Sequence, residues 1–154
     1  MKASFEVVVK DLPAYRAATS RVRGSYPDYG KHIAGLYQRF GRWMAGKPVC
    51  FYYDEVYKEG DADFEPGLPV REGAPAAGTR EVPACRAACL VHQGSYDSLG
   101  RSYQALTDYV RTKGLEVEKP TREVYLKGPG MFLRGNPAKY LTEIQFPLRP
   151  LDVS

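Results

Sequence analysis

Hydrophobic and polar positions along the chain change period in a way that marks out its elements. Phe5 to Val9 is a short apolar run with strand character, punctuated by Leu12-Pro13 before a second strand near Arg16 to Val22. After Pro27 the spacing lengthens to threes and fours: Ile33, Leu36, Tyr37, Phe40 and Met44 fall on one side of a helix that packs against a sheet. Strand character returns at Cys50 to Val56 and Phe64 to Val70. A low-information linker, Glu72 to Gly78, then separates two stretches of similar plan. In the second stretch Ala87 to His92 reads as a strand and Leu99, Tyr103, Leu106 and Val110 as a helical stripe. Gly114 is suited to a helix C-cap, and further strands follow at Arg122 to Leu126 and Leu141 to Phe146. Lys127 to Ala138, with its glycines and prolines, reads as a loop that contributes to a rim.

The similarity of plan is an internal repeat. Leu12-Pro13-Ala14-Tyr15-Arg16-Ala17-Ala18 aligns with Val82-Pro83-Ala84-Cys85-Arg86-Ala87-Ala88 at an offset of 70 residues, and Gly24-Ser25-Tyr26 with Gly94-Ser95-Tyr96 at the same offset. The closing strands align at an offset of 78, where Phe64-Glu65-Pro66 meets Thr142-Glu143-Ile144, and Tyr53 is matched with Tyr125 on the preceding strands. The expectation is a single α+β domain over residues 1–154. It consists of two tandem βαββ modules, at about 3–71 and 79–149, related by a pseudo-twofold axis, with antiparallel sheets and a central ligand cleft.

Composition narrows the function. With 44% apolar and 26% charged residues the chain is an ordinary soluble type, but 12 tyrosines beside six Phe and one Trp favour recognition surfaces as well as core edges. The net charge of +4 is spread among acidic residues rather than gathered into a basic stripe, which argues against direct nucleic-acid binding. Cys50, Cys85 and Cys89 complete no metal-ligand pattern and read as reduced thiols. The start of the chain has strand pattern rather than a signal peptide, and no span of about 20 apolar residues occurs, so a cytoplasmic location is expected. No phosphate loop, dinucleotide fingerprint, zinc motif or serine nucleophile elbow is present, and no cofactor is expected.

Strand alternation locates the candidate site. If Ile144 and Phe146 face the core, Glu143 and Gln145 turn to the opposite face; if Val124 and Leu126 face the helix, Glu123, Tyr125 and Lys127 join Glu143 there. Tyr53 and Glu65 follow from the first half, Trp43 closes one end or serves as a packing anchor, and Tyr96 sits at a repeated turn. Aromatic rings attract flat or cationic ligands, and a partly buried Glu143 is compensated by a ligand cation or by the Tyr125 hydroxyl. In a hydrolytic alternative, Glu143, Glu65 and Tyr125 activate water against an electrophile, with His92 as a weaker candidate base.

His92-x-Gly94-x-Tyr96-x-x-Leu99, Tyr103-x-x-Leu106, Glu123-Val124-Tyr125-Leu126 and the closing Leu141 to Leu148 together resemble the GyrI-like small-molecule-binding family, related to effector-binding domains of multidrug-responsive transcription regulators. The resemblance covers almost the whole chain. It implies a pair of SHS2 modules around a hydrophobic cleft. A late-strand glutamate, here Glu143, would contact lipophilic cations with help from Tyr125. Some relatives hydrolyse cyclopropane-containing genotoxins and others bind gyrase. No DNA-reading helix-turn-helix pattern precedes the first repeat, a departure from the regulator relatives, so the expectation is a stand-alone xenobiotic receptor or scavenger, with a hydrolase and a protein-binding inhibitor as alternatives.

Overall fold

The computed structural model describes residues 5–56, 58, 60–128 and 136–150. The first half of the chain runs β1 (Val7–Leu12), β2 (Tyr15–Thr19), β3 (Val22–Gly24), α1 (Tyr29–Phe40), β4 (Val49–Tyr52) and β5 (Ala62–Pro69). The second runs β6 (Thr79–Val82), β7 (Cys85–Gln93), α2 (Leu99–Thr112), β8 (Thr121–Lys127) and β9 (Leu141–Pro147). All pair in one antiparallel sheet of order β1-β7-β9-β8-β4-β5-β2-β6, with β3 also on β5. The opening strand of each half is exchanged: β1 pairs with β7 of the second half, and β6 with β2 of the first. The halves meet at the middle of the sheet, where Cys50 of β4 lies opposite Glu123 of β8.

The helices behave as their spacing predicts. α1 buries Ile33, Leu36 and Phe40 against Ala18, Leu68 and Val70, while α2 buries Leu106 and Val110 against Ala88, Leu90, Ile144 and Phe146. Leu106 is fully buried, a setting in which truncation to Ala costs about 2–5 kcal/mol through lost transfer energy and the cavity left behind. Gly114 ends α2 with φ +67°, a conformation that glycine adopts without Cβ strain.

Several boundaries differ from expectation. Pro27 sits in a 3-10 turn, Tyr26–Asp28, and α1 begins after it. Met44 is off the helix: α1 stops at Phe40, a second 3-10 turn covers Gly41–Trp43, and Met44 bridges Val70 with its side chain exposed. β4 ends at Tyr52 rather than Val56. β6 is a short strand whose pattern alone does not distinguish it from the linker. Most of the glycine-rich stretch expected to form a rim, 129–135, lies outside the described residues.

The sheet is curled so that the face away from the helices is also buried. Ala17, Val49, Phe51 and Val82 form a second core there, with Tyr15, Tyr53 and Val124 against it. Arg122 lies on this face, 4% exposed, with its guanidinium near the Phe51 ring and its Nη2 donating to the Pro83 carbonyl at 3.4 Å. Strands in the middle of such a sheet have two dry faces, so polar residues no longer mark the outside.

Candidate functional site

α1 lies over β5 and β2, and α2 over β7, leaving β4 and β8 uncovered between them. These two strands are the floor of a cleft of about 1690 Å³. That exceeds the ~300–1,000 Å³ usual for small-molecule pockets, so the cleft admits a bulky ligand. Among the described residues seven tyrosines line it: Tyr26, Tyr29, Tyr37, Tyr52, Tyr96, Tyr103 and Tyr125. Ile33, Leu99 and Phe146 add aliphatic and aromatic wall, and charges of both signs, including Lys47, Lys119, Asp54 and Asp97, stand among the other lining residues.

Glu123 lies at the centre of the floor. Its side chain shares the helix face with Tyr125 on β8 and with Cys50 and Tyr52 on β4, because Cys50 and Glu123 are direct cross-strand partners. The residue is 7% exposed and is surrounded by hydroxyl donors. Tyr125 donates to Oε1 at 2.9 Å, Tyr52 also reaches Oε1 at 3.3 Å, and Tyr103 from α2 donates to Oε2. The hydroxyls of Tyr52 and Tyr125 are themselves 2.9 Å apart. Burial holds the Glu123 carboxyl above the ordinary carboxylate range, and the three tyrosine hydrogen bonds offset only part of that effect. The same burial, with the Glu123 charge beside them, pushes Tyr52, Tyr103 and Tyr125 far up, so they remain donors. Around this group the rings pack edge to face or tilted: Tyr26 on Tyr52 at 5.5 Å, Tyr29 on Tyr125 at 5.3 Å and Tyr96 on Tyr125 at 6.1 Å. The result is a buried carboxyl group in an aromatic hollow, whose ring faces are electrostatically favourable to positive charge. Among the described residues no cluster of three His, Cys, Asp or Glu side chains could hold a metal.

The family model for the GyrI-like small molecule binding domain matches residues 5–149, nearly the whole chain. The chain belongs to the GyrI-like family. No curated protein matches it. Among solved structures, the EcmrR C-terminal domain is 25% identical with a TM-score of 0.79, and the alignment covers 96% of this chain and 99% of that one. In the EcmrR–DNA complex the match is again 25% identical, with a TM-score of 0.82, 96% of this GyrI-like domain covered, and only 58% of the EcmrR chain. The structure of SAV2435 bound to tetraphenylphosphonium shares the fold at 16% identity and a TM-score of 0.58, with 94% of each chain covered. A hydrolase from Listeria innocua shares it at 13% identity and a TM-score of 0.70, covering 94% of this chain and 92% of that one.

The residues named from sequence divide between the two faces of this GyrI-like domain. Tyr125 and Tyr96 line the cleft. Glu143 does not, and the expected pairing with Tyr125 is corrected by the strand register. Tyr125 lies opposite Thr142 and Val124 opposite Glu143, so Tyr125 shares a face with Ile144 and Phe146 while Glu143 points the other way. There Glu143 accepts from Lys10 Nζ at 2.9 Å and from Gln145 Nε2 at 2.6 Å. Tyr53 and Glu65 do come together, but also on the far face. Tyr53 donates to Glu65 Oε1 at 2.6 Å, Arg80 donates to both carboxylate oxygens at 2.8 and 3.0 Å, and Arg21 stacks on the Tyr53 ring. Trp43 is not among the cleft-lining residues; it packs beside the α1 core with Arg42 over its ring. His92 is buried, with Nε2–H donating to the Ser95 carbonyl at 3.0 Å and Nδ1 accepting from Ser102 at 2.8 Å, so its ring nitrogens tie β7 to the turn that follows it and to α2.

Sequence reasoning places Glu123 on one face with Tyr125 but assigns the cleft carboxylate to Glu143 instead. The signal was the repeat itself, read one residue out of step: Tyr52, not Tyr53, shares the face and the hydrogen bond of Tyr125. The adjacent Tyr52-Tyr53 pair makes both alignments plausible by eye, and a one-residue slip in a strand exchanges its faces.

Proposed function

We propose that this GyrI-like domain is a receptor or scavenger for bulky lipophilic organic cations, with Glu123 as counter-ion and the cleft tyrosines as walls. One observation carries the reading: a carboxyl group more than nine-tenths buried, capped by three tyrosine hydroxyls, forms the floor of a large aromatic cleft. An uncompensated buried charge is unfavourable, and a delocalised cation brings the compensation without a tightly held water shell. The tetraphenylphosphonium complex of SAV2435, which has the same fold, is in keeping with that ligand class.

Calorimetric titration with tetraphenylphosphonium and with neutral triphenylphosphine oxide tests it. The cation binds at least about tenfold more tightly, and Glu143→Gln leaves its affinity unchanged because Glu143 faces away. Equal affinity for the charged and neutral compounds removes the counter-ion role.

A second reading rests on the same carboxyl group. Burial raises the affinity of Glu123 for a proton, which suits the carboxyl group to deliver one to the leaving atom of a strained electrophile and, as the carboxylate so formed, to take one from the attacking water. Multiple turnovers seen as hydrolysed product by mass spectrometry support this reading; stoichiometric binding without product supports the receptor alone.

A further inference from the structure

The two exchanged strands occupy matching places at the two ends of the sheet, yet their free edges are built differently. β6 has four residues, its Arg80 is tied to Glu65, and Val82 is fully buried. That is a short, polar, defended edge. β1 has six residues, includes Val7-Val8-Val9, and among the described residues pairs on one side only. Three of the large hydrophobic side chains left exposed in the molecule are here: Phe5 at 43%, Val8 at 47% and Val91 at 46%. Glu6, Val8 and Lys10 share a face with Cys89, Val91 and Glu143 around a shallow hollow of about 350 Å³. Lys10 bonds to Glu143, while Glu6 has no ion-pair partner among the described residues.

We propose that this edge pairs with the same edge of a second copy, β1 against β1, antiparallel about a twofold axis at Val8. The sequence is self-complementary in that register. Val8 faces Val8 of the second copy, Val7 faces Val9, and Glu6 faces Lys10 twice, once on each side of the axis. The two flanking ion pairs lie on the same face as the central valines, and Val91 of each copy comes in beside them. Each Lys10 ammonium has three donors, so it serves Glu143 of its own chain and Glu6 of the other. The two sheets become one, and the outward-facing N–H and C=O groups around Val8 are satisfied.

Sedimentation equilibrium of the full chain reads this directly, with circular dichroism confirming that each variant is folded. The unsubstituted protein sediments as a dimer. Glu6→Lys, which places like charges opposite each other twice, raises the dimer Kd at least about tenfold. Lys10→Glu with Glu143→Lys keeps the pair within each chain but sets a carboxylate against Glu6 across the axis, and weakens the dimer likewise. Adding Glu6→Lys to that double variant restores opposite charges across the axis, and with them the dimer. A protein that remains monomeric at high concentration overturns the proposal, as does a dimer indifferent to Glu6→Lys or a triple variant that stays monomeric. Capture of a different protein on this edge by a monomeric chain counts against it too. None of these outcomes bears on ligand binding in the cleft, which lies on the other face of the sheet.

Discussion

Replacing Glu123 by Gln removes one charge and almost no volume, and the cleft makes its consequence calculable. The amide keeps an oxygen for Tyr125 or Tyr103 and turns its N–H groups toward the remaining hydroxyl oxygens, so the tyrosine cage of Tyr52, Tyr103 and Tyr125 can persist. The attraction between a ligand cation and the carboxylate is lost. At about 4 Å and an effective dielectric constant of about 20, that attraction is roughly 4 kcal/mol. Three hydroxyls already share the carboxylate charge, and burial favours its protonated form, so the net loss is set lower, at about 2–3 kcal/mol, or roughly 30- to 150-fold in Kd. The assay is titration calorimetry with tetraphenylphosphonium and triphenylphosphine oxide on both proteins. The neutral compound changes affinity by less than about threefold, because its ring contacts are untouched. Equal losses for the two compounds would mean that the substitution disturbed the cage rather than the charge, and no loss for the cation would refute the electrostatic reasoning altogether.

Other outcomes follow from the same geometry. Glu123 titrates above its unfolded value, so the folded state holds the proton more strongly. Its contribution is greatest below the unfolded value, about 4.5, and is lost as pH rises through the folded value. The melting temperature of Glu123→Gln relative to the unsubstituted protein therefore climbs with pH across that window, and a difference that is flat with pH contradicts the burial argument. Burial alone would raise Glu65, but hydrogen bonds from Arg80 and Tyr53 hold it below the usual range. Arg80→Ala strands that carboxylate and destabilises the fold by about 3 kcal/mol in urea unfolding at pH 7, with the deficit shrinking as pH falls through the native value and Glu65 protonates; a loss that does not shrink in acid assigns the role of Arg80 to packing. A Cβ at Gly67 would lie 3.0 Å from Val49 Cγ1 and 3.3 Å from the Phe51 ring. Gly67→Ala thus lowers stability by about 1–3 kcal/mol, and a neutral result in thermal unfolding would show that the second core yields more readily than its packing suggests.

The two helices and the strands that pair in the middle of the sheet are legible in the sequence, because period is a property that local sequence carries. The phase of single strands was lost. In β8, Arg122 and Val124 face a second dry core while Glu123 and Tyr125 face the cleft. Taking Val124 as the inward residue was sound for a sheet with one wet face, and this sheet curls to bury both. Ile144 and Phe146 were oriented correctly, which is why Glu143 points where alternation puts it; the error lay in the neighbouring strand. The exchange of β1 and β6 between halves was not legible either, since pairing partners far apart in sequence are chosen by packing rather than by local pattern.

The central claim is that Glu123 meets a cation in the tyrosine hollow, and tetraphenylarsonium tests it most directly, since its arsenic scatters anomalously. Diffraction from crystals soaked with it should give an anomalous peak between α1 and α2, over β4 and β8, close to the Glu123 carboxylate and ringed by Tyr52, Tyr103 and Tyr125. A peak beside Glu143 on the opposite face, or crystals saturated with the compound that show none in the cleft, would contradict the account.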